Sequence, residues 1–177
     1  MRTPTTASDD EMVTFFDENA IVVGSAPRST VYRDGLWHAS AGVLVRSTDG
    51  RRVYVHRRTE TKSVFAGMHD CLAGGVVDAG ETPHDAAVRE LSEELGITGD
   101  VVGPPVVGRW TGRSGSACIR CHLFAYVIHH DGPMHHQPSE ISDGWWWTDS
   151  RLREHLDDLE WPFVPDTRAI VEELLRR

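Results

Sequence analysis

The alternation of hydrophobic and polar positions along the chain predicts strands mixed with a few helices. Short segments rich in β-branched and aromatic residues are expected to be strands: 12–16, 21–23, 41–46, 52–58, 69–72, 106–110, 118–128 and 144–147. The turn-forming residues 17–19 and Asp49-Gly50 predict hairpins between the first two pairs. Two later segments, 151–156 and 167–176, are expected to be helices. Because strands and helices do not alternate strictly, the pattern favours an α+β fold with a mixed sheet between helices.

The segment that follows Glu81 has clear helix start and stop signals. Thr82 can act as the N-cap, Pro83 suits the first turn, and Asp85 completes a capping box. Gly96 is expected to end the helix directly after position 95. The sequence therefore predicts a helix between these two caps.

Three carboxylates share one face of this predicted helix. Glu90, Glu93 and Glu94 are spaced i, i+3 and i+4. A neighbouring apolar stripe is formed by Ala87, Val88, Leu91 and Leu95. Stacked like charges destabilise a helix by roughly 0.2–0.5 kcal/mol per pair, so a cluster beside a buried stripe favours a bound cation. Mg²⁺ takes oxygen ligands from carboxylates and substrate phosphates. By itself the cluster is equally compatible with a solvated acidic face.

Length and composition change this picture mainly by exclusion. The 177 residues suit one domain, expected over 11–177 after a loose polar tail at 1–10. A net charge of −9 argues against nucleic-acid binding, whose usual footprint is a basic face. The chain shows no apolar signal segment, no membrane-spanning apolar stretch and only three cysteines. These features favour a protein of the reducing cytoplasm that does not bind membranes. A homodimer is compatible with them.

The spacing of residues from Gly75 to Ile97 separates the two interpretations of the acidic face. This segment resembles the Nudix signature at every defined position: Gly75, Glu81, Arg89, Glu90, Leu91, Glu93, Glu94, Gly96 and Ile97. From ordinary residue frequencies, a chance match anywhere in the chain is on the order of 10⁻⁷. The motif therefore favours the metal-binding interpretation.

The resemblance to Nudix hydrolases implies a loop–helix–loop packed on a mixed sheet in an α/β/α sandwich. It implies that Glu90, Glu93 and Glu94 bind the catalytic Mg²⁺ or Mn²⁺, and that Glu93, Glu94 and Arg89 take part in catalysis. The implied substrate is a small molecule with a diphosphate linkage, such as a nucleoside diphosphate joined to another group. A catalytically silent module that senses a nucleotide is the alternative, but it would have no reason to keep every carboxylate. The structural positions of the motif would be Gly75, Glu81 and Gly96, with Arg89 and Glu81 bracing loop and helix.

A wider resemblance, over about 11–147, is to Nudix proteins related to isopentenyl-diphosphate isomerase. It rests on the N-terminal hairpin and on the runs GLWHAS, RRTETKSVFAG and SEISDGWWW. The matching Arg58 and Lys62 would hold the diphosphate, one as a bidentate fork and the other as a point charge. His38 would be a pocket residue. The alternative for Arg58 and Lys62 is a solvated loop.

The isomerase reaction itself fits this chain poorly. That enzyme needs a cysteine and a histidine in a Cys-Gly-His run, where this chain has Ala73-Gly74-Gly75. Cys71 is two residues early on its expected strand and is displaced by a full pleat repeat. Hydrolysis needs only cations, a water and a carboxylate, so the sequence favours a hydrolase. An isomerase-like enzyme is kept as the alternative function.

Four other motifs give weaker hypotheses. Cys118 to His122 fits a haem-attachment pattern, but positions i and i+3 of a strand point to opposite faces. In the run 145–147, alternation sends Trp146 opposite to its neighbours, so at least one tryptophan is expected in the core. Glu140 could be a late-loop metal ligand or base, or an ordinary surface carboxylate. The histidines of one loop could bind a soft metal or be solvated: His129, His130, His135 and His136.

Overall fold

The computed structural model describes residues 11–177, so the tail expected at 1–10 lies outside the described residues. The strands in that range are β1 (Met12–Phe16), β2 (Val22–Pro27), β3 (Trp37–Arg46), β4 (Arg52–Arg58), β5 (His69–Asp70), β6 (Leu72–Val76), β7 (Val106–Ser114), β8 (Ala117–His129) and β9 (Ile141–Thr148). The helices are α1 (Arg28–Asp34), α2 (Pro83–Leu95), α3 (Asp149–Leu156) and α4 (Pro165–Leu175). None of these helices is long and apolar enough to cross a membrane.

Strand β3 is central to the sheet because several strands pair with it. It runs parallel to β8 along its whole length and antiparallel to β6 over residues 40–44. β7 continues the sheet antiparallel to β8. Strands β4, β5 and β9 form an antiparallel ribbon that joins β3 at Arg46 and Val53. The β1–β2 hairpin joins the other end of β3 through residues 15–16. The sheet is therefore mixed, as expected from the sequence.

Helices cover both faces of this sheet. α2 packs on β3 and β6, where Leu91 and Leu95 join a buried cluster that includes Val43. α4 packs on β7 and β8, where Leu174 joins a cluster that includes Leu44. Successive residues of a strand point to opposite faces, so these two clusters lie on the two sides of the sheet. The result is an α/β/α sandwich of the α+β class, and the expected fold is confirmed.

The ends of α2 follow from local chemistry. Thr82 Oγ1 accepts the backbone N–H of Asp85 at 3.1 Å, and Pro83 occupies the first turn. Gly96 ends the helix in the left-handed conformation with φ of 67°. One departure from the expected apolar stripe is that Glu94 is only 2% exposed. The helix therefore directs a carboxylate, as well as leucine side chains, towards the sheet.

Helix α1 was not expected from the sequence. It is short and has no side-chain N-cap, and its buried residue is Val31. Val31 packs with Val13 and Val76 in a small third cluster. Isolated helices of this length are unstable in water, so tertiary packing forms this helix rather than local signals.

The expected hairpin over 41–46 and 52–58 is only partly formed. β3 and β4 make a ladder pair only at Arg46 and Val53, around a turn with Gly50 at φ of 70°. Beyond that pair, β3 continues between β6 and β8, whereas β4 pairs with β9. The strand expected over 69–72 is divided between β5 and β6.

Candidate active site

Two carboxylates of α2 face the glycine pair of β6. Gly74 donates its backbone N–H to Glu94 Oε2 at 3.0 Å. A Cβ on Gly75 would lie 2.3 Å from Glu90 Oε1, so Glu90 occupies the space that a side chain would need. The side chains of Glu94 and Glu90 are 2% and 14% exposed. The two glycines therefore allow the helix to bring one buried and one half-buried carboxylate directly against the strand backbone.

Arg89 connects the loop before α2 to the helix. Its Nε and Nη2 each donate to Glu81 at 2.9 Å, and its Nη1 donates to Glu90 at 2.7 Å. Nη2 also donates to the Val76 carbonyl at 3.3 Å. Glu93 accepts only a long contact from Nη1 at 3.4 Å, and with 53% of its side chain exposed it lies at the rim. The hydrogen bonds that Arg89 donates to Glu81, together with the charge of Glu90, raise the pKa of Arg89 above its usual range.

Lys62, the only lysine of the chain, lies among these carboxylates. Its Nζ pairs with Glu140 and is 4.0 Å from Glu94 Oε1. Lys62 follows β4 and Glu140 precedes β9, so the pairing of these two strands brings the side chains together. A backbone bond from Thr59 to the Glu140 carbonyl at 3.0 Å fixes this junction. We call the space lined by Lys62, Gly74, Gly75, Glu90, Glu93 and Glu140 the acidic groove, and we include the adjoining carboxylate of Glu94, which accepts the Gly74 N–H.

Burial shifts the pKa values in the groove towards neutral forms. Desolvation, followed by the charge of Glu90, raises the pKa of Glu94. Desolvation also raises the pKa of Glu90 itself. Desolvation and the neighbouring Arg58 lower the pKa of Lys62. Each pKa shift arises because burial disfavours the charged form of the side chain. A bound divalent cation would lower the free-energy cost of keeping both carboxylates ionised.

The donor set of the acidic groove fits a hard divalent cation. Glu90, Glu94 and Glu140 offer carboxylate oxygens, which Mg²⁺ and Mn²⁺ prefer. Within residues 11–177, no three His, Cys, Asp or Glu side chains already converge on one point as a metal site. Lys62 instead stands between Glu94 and Glu140. Cation binding there would require the Lys62 ammonium to move aside.

Arg58 and His38 line a cavity beside the acidic groove. This cavity is open to solvent on one side, has room of about 110 Å³ for water-sized groups, and shares Lys62 and the glycine pair 74–75 with the groove. Arg58 donates from Nε and Nη2 to the backbone carbonyls of 64–65, at 3.2 and 3.0 Å. His38 is 2% exposed, and burial lowers its pKa to about 4, so its ring is neutral near pH 7. Diphosphate binding by Arg58 stays a prediction, because two of its guanidinium nitrogens already donate to loop carbonyls.

Three charged residues of this region were missed in the sequence. Arg28 lines both the groove and the cavity, whereas Asp70 and Asp166 line the cavity. They come from separate segments and belong to no motif. The one available signal was Asp70, a carboxylate next to Cys71 in an otherwise apolar strand.

Two of the cysteines and one tryptophan of the run 145–147 lie in the core. Cys71 and Cys121 are 2% and 0% exposed, and burial raises the pKa of both thiols. Trp145 and Trp147 stack with ring centroids 6.2 Å apart, while Trp146 contacts Tyr54. Trp147 is 7% exposed, so the expected alternation and core tryptophan are confirmed.

The histidine-rich loop packs against the end of α2 and the β4–β9 ribbon. His136 Nε2 lies 2.7 Å from the Tyr54 hydroxyl. His135 lies against Gly96, where a Cβ would be 2.8 Å from the Cβ of His135. His130 donates its backbone N–H to Arg46. These contacts hold the loop in place without bringing the histidines to one point.

The similarity to known proteins extends well beyond the motif at 75–97. The family model described as the NUDIX domain matches residues 36–170. An uncharacterized Nudix hydrolase of Rhodococcus erythropolis is 58% identical over 167 residues, covering 92% of this chain and 90% of the relative. An uncharacterized Nudix hydrolase of Streptomyces coelicolor is 38% identical over 160 residues, covering 90% of this chain and 86% of the relative.

A solved structure shows a similar fold. The crystal structure of DR0079 from Deinococcus radiodurans has a TM-score of 0.69 to this chain at 24% identity. The match covers 94% of this chain and 98% of that chain. At this identity the likeness concerns the fold alone.

Proposed function

The chain belongs to the Nudix family, and from that membership we propose that it is a hydrolase that uses Mg²⁺ or Mn²⁺ to cleave a diphosphate linkage in a nucleoside diphosphate derivative or a related small molecule. The observation that supports this most strongly is the pair of carboxylates, the half-buried Glu90 and the buried Glu94, held against the Gly74–Gly75 backbone. The same motif on a fully exposed helix face would give weaker support for a bound cation, because water can solvate an exposed carboxylate.

Each residue of the acidic groove has a defined task in this proposal. Glu90 and Glu94 would hold the cation, with Glu93 at the rim and Glu140 beside them. The cation, when bound, supplies charge neutralisation on the diphosphate oxygens and acidifies the attacking water. Arg89 keeps Glu90 in place through its bonds to Glu81.

Lys62 and Glu140 form the part of the groove that has to rearrange. The Lys62 ammonium leaves Glu140 and binds a phosphate oxygen, for which it is the nearest point-charge donor. Glu140 then accepts the proton of the attacking water as general base. Arg58 holds the far phosphate with the part of its guanidinium that does not bind the loop carbonyls.

The experiment that tests this function is a substrate panel. It contains nucleotide sugars, dinucleoside polyphosphates, nucleoside di- and triphosphates and isopentenyl diphosphate, incubated with Mg²⁺ or Mn²⁺ in D₂O and followed by NMR. We expect release of a nucleoside monophosphate or phosphate from at least one nucleotide, and no deuterium in the isoprenoid carbon skeleton. Deuterium incorporation without hydrolysis would favour the isomerase, and nucleotide binding without turnover would favour a sensor.

The glycine pair of β6 gives a sharper test of the site geometry. In Gly75→Ala the new Cβ meets the end of the Glu90 side chain at 2.3 Å, and that side chain can rotate away. We expect kcat to fall about 10–100-fold, because misplacing a catalytic group by about 1 Å costs that much. The melting temperature should change little, as measured by thermal unfolding beside steady-state kinetics.

Gly74→Ala is the matched control for this substitution. Its Cβ would meet the Ala41 carbonyl oxygen at 2.3 Å and the Gly42 Cα at 2.6 Å, and both are backbone atoms. The β3–β6 ladder must then separate, so we expect a stability loss of roughly 1–3 kcal/mol or more. Equal effects of the two variants on both stability and kcat would contradict the assignment of Glu90 to the site.

A further inference from the structure

The face of β7 and β8 that α2 leaves open carries arginines at alternate positions. Trp110 of β7 packs against the cluster under α4, so the neighbouring positions Arg109 and Arg113 point to the other side of the sheet, where both are exposed. On β8, exposed Arg120 lies opposite Thr111 and is therefore diagonal to both arginines of β7. Diagonal neighbours on antiparallel strands are about 7–8 Å apart, within reach of long side chains. We call the surface formed by Arg109, Arg113 and Arg120 the arginine face.

The arginine face is a basic region of an acidic chain. Residues 101–130 contain three arginines and no Asp or Glu, although the chain has 27 acidic residues and a net charge of −9. Among the described residues, none of these arginines forms an ion pair, and Arg113 donates only to the Ser116 carbonyl at 3.4 Å. Exposed charges more than about 10 Å away are largely screened at 0.1 M salt, so distant carboxylates do not cancel this local charge.

An ordered stack of planar groups supports one of the arginines. The Trp37 ring stacks on His122 with centroids 4.8 Å apart, and the Arg109 guanidinium lies 4.6 Å from the Trp37 ring centroid. Exposure increases from His122, 3% exposed, through half-buried Trp37 to exposed Arg109. His122 donates to the Asp17 carbonyl at 3.1 Å, and the Asp17 carboxylate accepts N–H groups of its own turn. The outer layer of the stack is therefore a guanidinium presented to solvent.

Charge and planarity together select the partner. Guanidinium groups bind phosphate oxygens, and unpaired nucleobases stack on arginine planes and aromatic rings. Half-buried Phe124, the next residue of β8 on the same face as His122, adds a further ring to this surface. An acidic peptide would use the charges but not the planar groups, and the bases of a duplex are already stacked on one another. A single strand uses both.

We propose that the arginine face binds single-stranded nucleic acid, with a base stacked on Arg109 and backbone phosphates held by Arg113 and Arg120. Arg109 and Arg113 are separated by about 13 Å along β7, against a rise of about 3.4 Å per nucleotide in a stacked strand. The contact therefore covers only a few nucleotides. It lies outside the acidic groove and does not depend on the proposed function. The net charge of the whole chain predicts no nucleic-acid partner, and this face is the local exception.

The test is fluorescence anisotropy of a 3′-labelled oligouridylate of about ten nucleotides, titrated with the full chain at about 50 mM salt. With a 5′-hydroxyl end this probe has no diphosphate linkage, so a hydrolase of the proposed kind cannot consume it. We expect saturable binding whose logarithm falls with the logarithm of salt at a slope of roughly −1.4, because each phosphate contact of a single strand contributes about 0.7. Arg113→Ala and Arg120→Ala should each reduce the slope by about 0.7.

Two further variants separate this contact from general attraction. Arg109→Lys keeps the charge but removes the guanidinium plane, so affinity should fall at least about fivefold while the salt slope stays unchanged. Arg51→Ala is the matched control, because exposed Arg51 lies on the turn at the other end of β3 and its loss changes the net charge equally. It should leave affinity and slope unchanged.

Four results would overturn the proposal. Arginines that only keep the β7 edge from pairing with another chain would give no binding of the oligouridylate. A loss in Arg51→Ala equal to that in Arg113→Ala would mean that only the overall charge matters. Full affinity in Arg109→Lys would exclude the stacked base. Displacement of the probe by a polyglutamate peptide as effectively as by unlabelled oligouridylate would assign the face to an acidic protein segment instead.

Discussion

Chelation of divalent cations is expected to abolish turnover while leaving the protein folded. The charge balance of the groove gives the reason: Arg89 pairs with the half-buried Glu90 at 2.7 Å, whereas the ammonium of Lys62 is 4.0 Å from the buried Glu94. We expect the metal-free protein to stay folded, since Arg89 pairs with Glu90, and Lys62 pairs with Glu140 and approaches Glu94. Neither cationic side chain can acidify a water as a divalent cation would.

The measurement is phosphate release from the best panel substrate in buffer with EDTA, with EDTA already saturated by Mg²⁺ as the control. Turnover should disappear with free EDTA, persist with saturated EDTA and return when excess Mg²⁺ is added. A titration of Mn²⁺ should also raise the melting temperature, because a ligand at 100 times its Kd adds about 2.7 kcal/mol to the free energy of unfolding. Full activity in exhaustively chelated buffer would exclude metal-assisted hydrolysis.

The parts of the fold that local chemistry controls could be predicted from the sequence. The caps at Thr82 and Gly96 act within one turn of α2, so their residue types suffice to locate the helix. Strand positions were recognisable because one-residue alternation leaves a visible pattern, as the opposite sides of Trp146 and Trp147 show. The order of the strands was not recognisable, because the parallel pairing of β3 with β8 joins segments about 80 residues apart.

The same difference between local and distant contacts applies to the candidate site. The motif located Glu90, Glu93 and Glu94 on one helix, but it did not show that Glu94 is buried while Glu93 is exposed. Burial depends on how the helix rotates against β6, and two glycines in that strand set how closely it approaches. The contact of Lys62 with Glu140 joins positions 78 residues apart, and no spacing rule covers it.

The cavity shows where prediction from the sequence ends for physical reasons. Aspartates are usually exposed, so Asp166 carries no signal, and the position of Asp70 in an apolar strand does not show that the two aspartates lie near each other. They meet because β5 and the start of α4 adjoin, as the His69–Phe163 bridge and the Val164 N–H bond to His69 show. Only the folded chain contains that information.

Glu94→Gln is expected to lower kcat by roughly 10²–10⁴ without loss of the fold. The substitution keeps the side-chain volume, and the amide oxygen can still accept the Gly74 N–H at the position of Oε2. It removes one negative charge from the site that has to hold a divalent cation. It also removes a buried carboxylate whose pKa desolvation raises, so the free energy of unfolding should stay equal or rise slightly.

Glu154→Gln on the exposed face of α3 is the matched control, and it should leave kcat, metal binding and melting temperature unchanged. Steady-state kinetics at saturating Mg²⁺, calorimetric titration of Mn²⁺ and thermal unfolding separate the possible causes of a loss. Weaker Mn²⁺ binding with an intact fold would assign Glu94 to the cation site. If the role of Glu94 were purely structural, the substitution would lower the melting temperature and leave the Mn²⁺ affinity of the folded protein unchanged. A Glu94→Gln protein that keeps the kcat of the original protein at saturating metal would show that the cation is held elsewhere. The rim residue Glu93, more than half exposed, would then be the next carboxylate to replace.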